Sequence, residues 1–389
     1  MEESQEQSIS EATGGSIPVG VLFSQSGPMA LTESGHLKGT LVAIDEINSG
    51  GGINGRKIEP IIVEPASDLR LYKELATKLL VKDRVSVIFG CCSSASRKVV
   101  LPLVERFGVL LFYPSFYEGF EYSPNIIYTG ATPNQTVLPL AEYLFNTHGR
   151  RFFLVGSDYI YPREINRILK EFLTESGGSA VGEVYLTLGI DTGSFQAAAS
   201  QAKNSGADVI LSTIVGSDTP KLYEACSKVG IDPAIQPIAS LTTSECELAE
   251  IHSEARAGHI TGASYFQSLD TDTNNRFKAL YAARYGAVEK TCIYSETAYF
   301  QVHLFAKALR MTENDSPEIL LKSLSGMRHT APQGDVTVDA DNNHLFVTPR
   351  IAISNTDGSF NVVWESDFSV KPDPYLIAYD RTIPRSTVG

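Results

Sequence analysis

The sequence predicts an α/β protein with two doubly wound parallel-sheet lobes, and three observations support this prediction. The chain has 389 residues, which is more than one hydrophobic core usually accommodates. Short apolar runs alternate with amphipathic stretches, which is typical of parallel strands covered by helices on both faces. This alternation occurs in two series, so we expect two lobes.

The first series begins with "IPVGVLF" (17–23), a buried-strand pattern, and continues into a helix with Leu37, Leu41 and Ile44 at helical spacing. The run "GGGING" (50–55) follows this helix, whereas a phosphate-binding loop precedes one, so we interpret it as a terminator and turn. Further strands are predicted at 58–63, 85–89 and 109–113, with helices at about 69–81 and 95–107.

The second series starts at "RFFLVG" (151–156) and repeats the same alternation. Further strands are predicted at 180–186, 208–213 and 237–240, with helices from about 163, near 195–205 and near 219–229. Consecutive strands separated by helices predict a parallel sheet in this part of the chain as well.

Charge and hydropathy exclude several classes of function. The net charge of −13 argues against direct nucleic-acid binding, which requires a basic face. The sequence has no stretch of eighteen apolar residues to span a bilayer. The five cysteines are odd in number and lack CxxC spacing, and neighbouring cysteines seldom bridge, so we predict five free thiols and a reducing compartment.

Residues 1–16 are predicted to form a disordered acidic leader. The segment "MEESQEQSISEATGG" lacks the basic start and apolar centre of a signal peptide. If Met1 is native, this predicts a cytoplasmic protein. If a signal peptide has been removed, the protein would be periplasmic.

Ligands of open parallel sheets bind beyond the carboxyl ends of the strands. In this sequence, hydroxyl groups and tyrosines dominate the segments that follow the predicted strands, and basic side chains are nearly absent from them. These segments are Ser24–Met29, Gly90–Ser96, Tyr113–Tyr117, Gly156–Tyr161, Thr213–Thr219 and Ser240–Glu245.

The segment "GCCSSASRK" allows four interpretations: a thiol nucleophile, part of a metal site, a serine nucleophile or a polar cup at a helix start. A serine hydrolase needs a G-x-S-x-G elbow with a histidine partner, and the scattered histidines lack metal-ligand spacing. A reactive Cys91 or Cys92 would need a lowered pKa, for which a helix dipole is available. The favoured interpretation is the cup, in which Ser93 and Ser94 cap the helix and also contact a ligand. No metal site and no cofactor is predicted.

Tyrosines at predicted strand ends, Tyr113, Tyr117, Tyr159 and Tyr161, suggest aromatic walls around a compact neutral ligand, with ordinary packing as the alternative. Glu245 is the acid that we expect near the cup, where it would accept an N–H group of the ligand. The alternative is that Glu245 closes a capping box in "TTSE".

The segment "AIDEINSGGGINGRKIEP" resembles the signature of the type I periplasmic-binding-protein superfamily. "GCCSSASRKVVLPLVE", "FYPSFYEGFEYSPNIIYTGATPNQ" and "FLVGSDYIYPRE" resemble one branch of it. That branch contains the amide receptor that negatively regulates an aliphatic amidase operon and the substrate-binding protein of the urea ABC transporter. "STIVGSDTPKLY", "PIASLTTSE" and "APQGDVTVDADNNH" favour the amide receptor, and the resemblance covers residues 17–380.

The resemblance implies two lobes that close on a ligand like a Venus flytrap. Three crossovers would join the lobes, near Thr132–Gln135, Gly262–Tyr265 and Asn343–Leu345. The implied lobes are 17–133 plus 264–343 and 134–263 plus 344–389.

Carried over position by position, the resemblance implies ligand contacts from Ser94, Tyr113, Ser115, Tyr159 and Tyr161, with Thr213 and Thr219 as further candidates. Two positions depart from the pattern. Cys92 stands where the receptor has a bulky aromatic residue and the urea-binding proteins have tryptophan. Phe116 stands where the receptor has a small residue, so we expect a reshaped pocket.

We therefore expect a non-catalytic receptor for a small neutral amide or urea, in which serine hydroxyls bind the ligand carbonyl and tyrosine oxygens bind its NH₂ group. A cytoplasmic amide sensor would regulate amidase expression through an RNA-binding antiterminator. The alternative is a periplasmic protein that delivers a urea or short amide to an ABC permease. A branched-chain amino-acid-type binding protein and a thiol amidase are further alternatives, and a homo-oligomer is possible.

Overall fold

The computed structural model describes residues 15–377, so most of the expected leader at 1–16 lies outside the described residues. The first sheet contains β1 (Ile17–Leu22), β2 (Ile58–Val63), β3 (Val87–Gly90), β4 (Leu110–Tyr113) and β5 (Ile126–Tyr128). All its neighbours are parallel, in the spatial order β2-β1-β3-β4-β5. The predicted strands of the first series are confirmed, and β5 is an additional short strand.

Three helices connect these strands: α1 (Ala30–Ser49), α2 (Leu69–Val81) and α3 (Ser94–Phe107). The side chain of Asp68 caps α2 by accepting a hydrogen bond from the Arg70 amide. Helix α1 ends at the glycine run, where Gly51 and Gly52 adopt φ values of 96° and 77°. These left-handed conformations suit glycine, and the predicted turn is confirmed.

The chain then builds a second sheet, whose strands again alternate with helices. The elements are α4 (Val137–Thr147), β6 (Arg151–Ser157), α5 (Ile160–Glu175), β7 (Ser179–Leu186), α6 (Thr192–Asn204), β8 (Val209–Thr213), α7 (Thr219–Lys228), β9 (Ile238–Ser240), α8 (Glu245–Ala249), α9 (Ser253–Arg256) and β10 (Ile260–Ala263). Strands β6–β10 pair in parallel, as the second series predicts.

Three more helices and two pairing regions complete the fold. They are α10 (Asp272–Tyr285), α11 (Ile293–Thr312), α12 (Pro317–Leu324), the small antiparallel sheet of β11 (Arg328–Ala331), β12 (Gly334–Val338) and β13 (Leu345–Phe346), and then β14 (Arg350–Ser354) and β15 (Phe360–Glu365). Strands β14 and β15 extend the second sheet in antiparallel pairing, giving the order β15-β14-β10-β9-β8-β6-β7. The second sheet is therefore mixed at one edge rather than wholly parallel.

Helices α10–α12 share a hydrophobic core with the first sheet. The ring of Phe305 on α11 packs edge-on against Phe89 of β3 and Phe112 of β4, with centroid separations of 5.7 and 6.3 Å. We call the first sheet with α1–α3 and α10–α12 the first lobe, and the second sheet with α4–α9 the second lobe.

The chain passes between the lobes three times, as the resemblance implies. The first passage follows β5 and the second follows β10. Strand β13 still pairs with β12, so the third passage lies between Phe346 and Arg350, a few residues after the expected Asn343–Leu345. The proposed lobe boundaries themselves stay a prediction.

The expectation of five free thiols is wrong. Cys246 and Cys292 form a disulfide, with Cα atoms 6.1 Å apart and 46 positions apart in sequence. Cys91, Cys92 and Cys226 are free and buried. The pair escapes sequence reasoning because its two cysteines belong to different lobes and meet only through the tertiary fold.

Candidate functional site

A central cavity lies between the lobes, beyond the carboxyl ends of strands from both sheets. About 280 Å³ of space, part of it open to solvent, lies between its walls. Its walls combine hydroxyl groups with aromatic and other apolar side chains. The lining residues are Met29, Thr32, Cys92, Ser94, Ser115, Phe116, Tyr159, Tyr161, Val215, Thr242 and Tyr294.

The lobes contact each other around this cavity. The Ser217 amide of the second lobe donates to the Pro28 carbonyl of the first, at 3.1 Å. The Thr32 hydroxyl on α1 donates to Glu247 Oε1 on α8, at 3.1 Å. The structure therefore shows the lobes closed on one another.

A second space, the hinge cavity, adjoins the central one near the first two passages between the lobes. Its volume is about 250 Å³, part of it open to solvent. Phe116 and Tyr294 line both cavities, and their rings meet edge-on with centroids 5.6 Å apart. These two rings separate the cavities. The other lining residues of the hinge cavity are Pro114, Gly130, Ala131, Ser264, Ile293 and Thr297.

The expected cup forms at the turn from β3 to α3. The Ser93 side chain caps α3 by accepting a hydrogen bond from the Ser96 amide at 3.1 Å. Ser94 lines the central cavity instead. The two neighbouring serines thus divide the capping and cavity roles between them.

A buried ion-pair network fixes the orientation of the Ser94 hydroxyl. Ser94 Oγ donates to Glu118 Oε2 at 2.7 Å, and Arg97 Nη2 donates to Glu118 Oε1 at 2.7 Å. Arg97 also pairs with Glu121 at 2.6 Å and is fully buried. Because its only proton is committed to a carboxylate, the Ser94 hydroxyl offers acceptor lone pairs to the cavity. The expected donation from Ser94 to a ligand carbonyl is therefore wrong for this geometry.

Three further hydroxyls on the cavity wall are arranged in the same way. The Tyr294 hydroxyl donates to the Thr242 carbonyl at 2.5 Å, and the Thr242 hydroxyl donates to the Ile214 carbonyl at 2.6 Å. The Thr32 hydroxyl donates to Glu247. Carbonyl and carboxylate oxygens only accept, so these hydroxyls also present acceptors to the cavity.

Tyr159 and Tyr161, at the start of α5, can each donate a hydrogen bond to a ligand. Within residues 15–377, no hydrogen bond involves either phenol oxygen. Burial raises the pKa of both phenols, so both stay protonated at neutral pH. The second lobe therefore supplies two uncommitted O–H groups on side chains that line the cavity.

None of the lining residues, within the part of the chain that the structure describes, carries a formal charge. Acids lie behind the wall: burial raises the pKa of Glu33 to about 7 and that of Glu247 to about 6. Glu33 accepts hydrogen bonds from the Ser24 amide and the Tyr72 hydroxyl, both at 2.5 Å, which partly offset the effect of burial.

Five of the predicted site residues line the central cavity: Cys92, Ser94, Ser115, Tyr159 and Tyr161. The others support it from behind. Tyr113 is fully buried, and its hydroxyl donates to the Cys92 carbonyl at 2.6 Å, which fixes the cup. Ser93 is the cap of α3 described above. Tyr117 packs against the Arg97 guanidinium, 5.2 Å from its ring centroid.

The two threonines and the acid of the second lobe also lie outside the lining. Thr213 contacts Asn166, and Thr219 begins α7 with its hydroxyl bonded to a carbonyl of the preceding turn. Glu245 is buried and accepts from the Gln267 amide at 2.6 Å. The capping box lies two residues further along, between Ser244 and Glu247, so the alternative box in "TTSE" is wrong.

Sequence reasoning missed several lining residues. Met29, Val215 and Thr242 lie in the strand-end segments already considered, so their position after a strand was the sequence feature that could have identified them as lining residues. Thr32 and Tyr294 lie on α1 and α11, where no strand-end argument applies. Tyr294 reaches the cavity only because α11 returns to the first lobe.

The cysteines of the cup do not have the environment of a nucleophile. Burial raises the pKa of both the Cys91 and the Cys92 thiol, with the Glu33 carboxylate adding to the effect. A nucleophilic cysteine needs the opposite shift. Cys92 Sγ lies 3.5 Å from Ser115 Oγ and forms part of the cavity wall.

Among residues 15–377, no three histidine, cysteine or acidic side chains converge on a possible metal site. Over the same residues, no helix is both long and apolar enough to cross a bilayer.

The model of the periplasmic binding protein domain family matches residues 17–381. The chain belongs to this family. The type I periplasmic-binding fold expected from the sequence is confirmed by this match and by the solved structures described below. The resemblance to the amide receptor stays a prediction.

Curated relatives are distant. The Pseudomonas aeruginosa leucine-, isoleucine-, valine-, threonine- and alanine-binding protein is 24% identical over 319 residues, covering 81% of this chain and 83% of that protein. The limonene hydroxylase of Geobacillus stearothermophilus is 32% identical over 126 residues, which are 32% of this chain and 23% of that protein.

Solved structures share the fold over nearly the whole chain. A solute-binding protein of an ABC transporter from Rhodopseudomonas palustris HaA2, in complex with p-hydroxybenzoic acid, superposes with a TM-score of 0.85 at 24% identity, covering 94% of this chain and 100% of that one. A branched-chain amino-acid transporter substrate-binding protein from Streptococcus pneumoniae, in complex with isoleucine, gives 0.78 at 22% identity, covering 92% and 100%. At these identities the likeness shows the fold.

Proposed function

We propose that this protein is a non-catalytic receptor that binds a small neutral amide or urea between its closing lobes. The observation that carries the proposal is the hydrogen-bond polarity of the central cavity. Hydroxyls of Thr32, Ser94, Thr242 and Tyr294 present acceptors, because their protons are committed to protein oxygens.

Urea and primary amides match this polarity. Each has one carbonyl oxygen, for which Tyr159 and Tyr161 provide donors, and two or more N–H groups for the acceptors. The absence of charge from the described lining supports a neutral ligand, since an unpaired charge in a closed cavity is costly. A ligand without N–H groups would leave buried acceptors unpaired, at about 1–3 kcal/mol each.

Ligand size limits the affinity. A ligand of four heavy atoms gains at best about 1.5 kcal/mol per atom, or about 6 kcal/mol in total. This corresponds to a dissociation constant of roughly tens of micromolar. An α-amino acid would bring two opposite charges into the cavity, which makes the branched-chain amino-acid reading less favoured.

For the biological role, the disulfide supports an oxidising compartment, where such bonds persist. We therefore propose a periplasmic protein that delivers its ligand to an ABC permease, in preference to the cytoplasmic sensor with an antiterminator partner. Recovery of the native protein in a periplasmic extract would support this role, and recovery in the cytosol would favour the cytoplasmic amide sensor instead.

The binding proposal is tested by titration calorimetry with urea, formamide, acetamide, butyramide and leucine. Guanidinium serves as a matched control, because it has the shape of urea but carries a charge and lacks the carbonyl. We expect saturable binding of urea or an amide and none of guanidinium or leucine. Binding of leucine alone would assign the protein to amino acids, and ammonia release from a bound amide would overturn the non-catalytic reading.

A further inference from the structure

The Cys246–Cys292 disulfide connects the two lobes beside the central cavity. Cys246 is the second residue of α8 in the second lobe, and Cys292 precedes α11 in the first. The next residue after Cys246 is Glu247, which bonds Thr32 across the lobe boundary. Two residues after Cys292, Tyr294 lines the central cavity. The covalent bond therefore crosses the surface along which the lobes must separate.

The two sulfurs have different environments. Cys246 is partly exposed, whereas Cys292 is fully buried. Cys292 occupies the N-cap of the 20-residue helix α11, and Ser295 Oγ lies 3.9 Å from its Sγ. A helix N-terminus stabilises a thiolate, whereas the Ser295 hydroxyl donates to the Cys292 carbonyl at 2.9 Å. An incoming thiolate can therefore reach Cys246, and Cys292 is the better leaving group.

We propose that this disulfide is a thiol–disulfide exchange site through which a dithiol reductant unlocks the lobes. One thiolate of the reductant attacks Cys246 Sγ, the bond between the two cysteine sulfurs breaks, and Cys292 departs as a thiolate. The second thiol of the reductant then attacks the mixed disulfide and releases Cys246 as a thiolate. The reductant leaves as its cyclic disulfide, two electrons pass to the protein, and both cysteines take up protons from water.

In the oxidised protein the bond holds α8 near the start of α11 and limits how far the lobes open to exchange ligand. In the reduced protein only non-covalent contacts, such as Thr32 with Glu247, oppose opening. The exchange site thus regulates entry to and release from the cavity. The inference goes beyond the proposed function, because it concerns lobe motion whatever the ligand is.

The first test measures lobe opening without ligand, by small-angle X-ray scattering on the full chain before and after treatment with dithiothreitol. We expect the radius of gyration to increase on reduction. The Cys246→Ser variant should show the larger radius in both conditions, and Cys226→Ala, which removes a free thiol, should behave like the wild type. Equal radii for oxidised and reduced wild-type protein would overturn the proposal.

Alkylation under denaturing conditions checks the bond itself. Three cysteines should react without reductant and five after reduction, whereas five reactive cysteines in the untreated protein would overturn the proposal.

The direction of attack is tested with glutathione disulfide on the single variants. Cys292→Ser should form a mixed disulfide at Cys246 in the folded protein, and Cys246→Ser should react at Cys292 far more slowly. The opposite order would overturn the assigned polarity.

If an amide binds as proposed, its dissociation rate should rise at least about tenfold after reduction. A disulfide usually stabilises the state that it crosslinks by more than a factor of ten in the equilibrium constant. Failure of every amide to bind the reduced protein would contradict the proposed function but leave the scattering result intact. An unchanged dissociation rate after reduction would contradict the exchange proposal.

Discussion

The two faces of the central cavity are built differently. On the first lobe, Ser94 is held by a buried carboxylate, which is itself held by Arg97. On the second lobe, Tyr159 and Tyr161 make no hydrogen bond through their hydroxyls within the described chain. The first-lobe face thus presents the oriented acceptors Ser94, Thr32 and Tyr294, whereas the second-lobe face combines two donors with the Thr242 acceptor. Residue type alone therefore does not decide which face receives which end of a ligand.

The largest expected effect comes from removing the charge that anchors the acceptor face. Arg97→Met leaves Glu118 and Glu121 without their buried partner, and breaking such a pair typically costs about 3–5 kcal/mol. Thermal unfolding should show this loss. The matched variant Lys98→Met removes a half-exposed partner of Glu121 and should cost less than about 1 kcal/mol. Similar losses for both variants would show that the acceptor face does not depend on Arg97.

The next effect concerns pH. Burial raises the pKa of Glu33 to about 7, above its unfolded value near 4.5, so the folded state favours the protonated carboxyl. Its contribution to stability is complete below pH 4.5 and is lost as pH rises through about 7, amounting to about 3 kcal/mol.

Glu33→Gln should therefore resemble the wild type at pH 5 and be more stable than it at pH 8. Glu245, whose pKa burial also raises to about 7, belongs to the second lobe and supplies the matched variant Glu245→Gln. Thermal unfolding at pH 5 and at pH 8 measures the stability of each variant relative to the wild type. A Glu33→Gln protein with the full wild-type pH dependence would contradict the assignment.

Amide binding by single variants tests the acceptor role of the first-lobe face and the donor role of the second-lobe face separately. Ser94→Ala removes an acceptor and should weaken amide binding by about 1–3 kcal/mol, while Ser93→Ala removes only a helix cap and should cost about 1 kcal/mol of folding stability with unchanged binding. Tyr161→Phe keeps the aromatic wall but deletes a donor. Calorimetry should find weaker binding for Ser94→Ala and for Tyr161→Phe, and a Tyr161→Phe protein with wild-type affinity would remove the donor role.

The smallest expected effect concerns Phe116, at the border between the central cavity and the hinge cavity. Phe116→Ala should open the central cavity into the hinge cavity. Each buried methylene is worth about 0.8 kcal/mol, so butyramide should gain roughly tenfold relative to acetamide. Met29→Ala, on another part of the wall, is the control. An unchanged preference in Phe116→Ala would mean that the hinge cavity does not admit ligand.

Much of the fold follows from local pattern. Helix α2 has the predicted bounds, and strands such as β2 and β7 lie at or within one residue of them, because segments rich in β-branched and aromatic residues mark strands even at a partly exposed sheet edge. Strand β5 has three residues and too short a pattern to be recognised. The antiparallel edge of β14 and β15 was likewise not predicted.

The site was predictable where it depends on strand ends, as for Ser94 and Tyr161. It was not predictable where a helix far along the chain returns, as for Tyr294, or where two lobes meet, as for the disulfide. Hydrogen-bond direction was also beyond the sequence, since Ser94 donates to Glu118, a residue 24 positions away.

The committed hydroxyl protons of the acceptor face have a thermodynamic consequence. A free serine or threonine hydroxyl rotates among several positions and loses that freedom when a ligand fixes it. The rotors of Ser94 and Thr32 on this face are already fixed by protein acceptors in the closed state. Binding therefore incurs little rotational entropy loss on this face, and a ligand with very few atoms can approach the greatest affinity that its size permits.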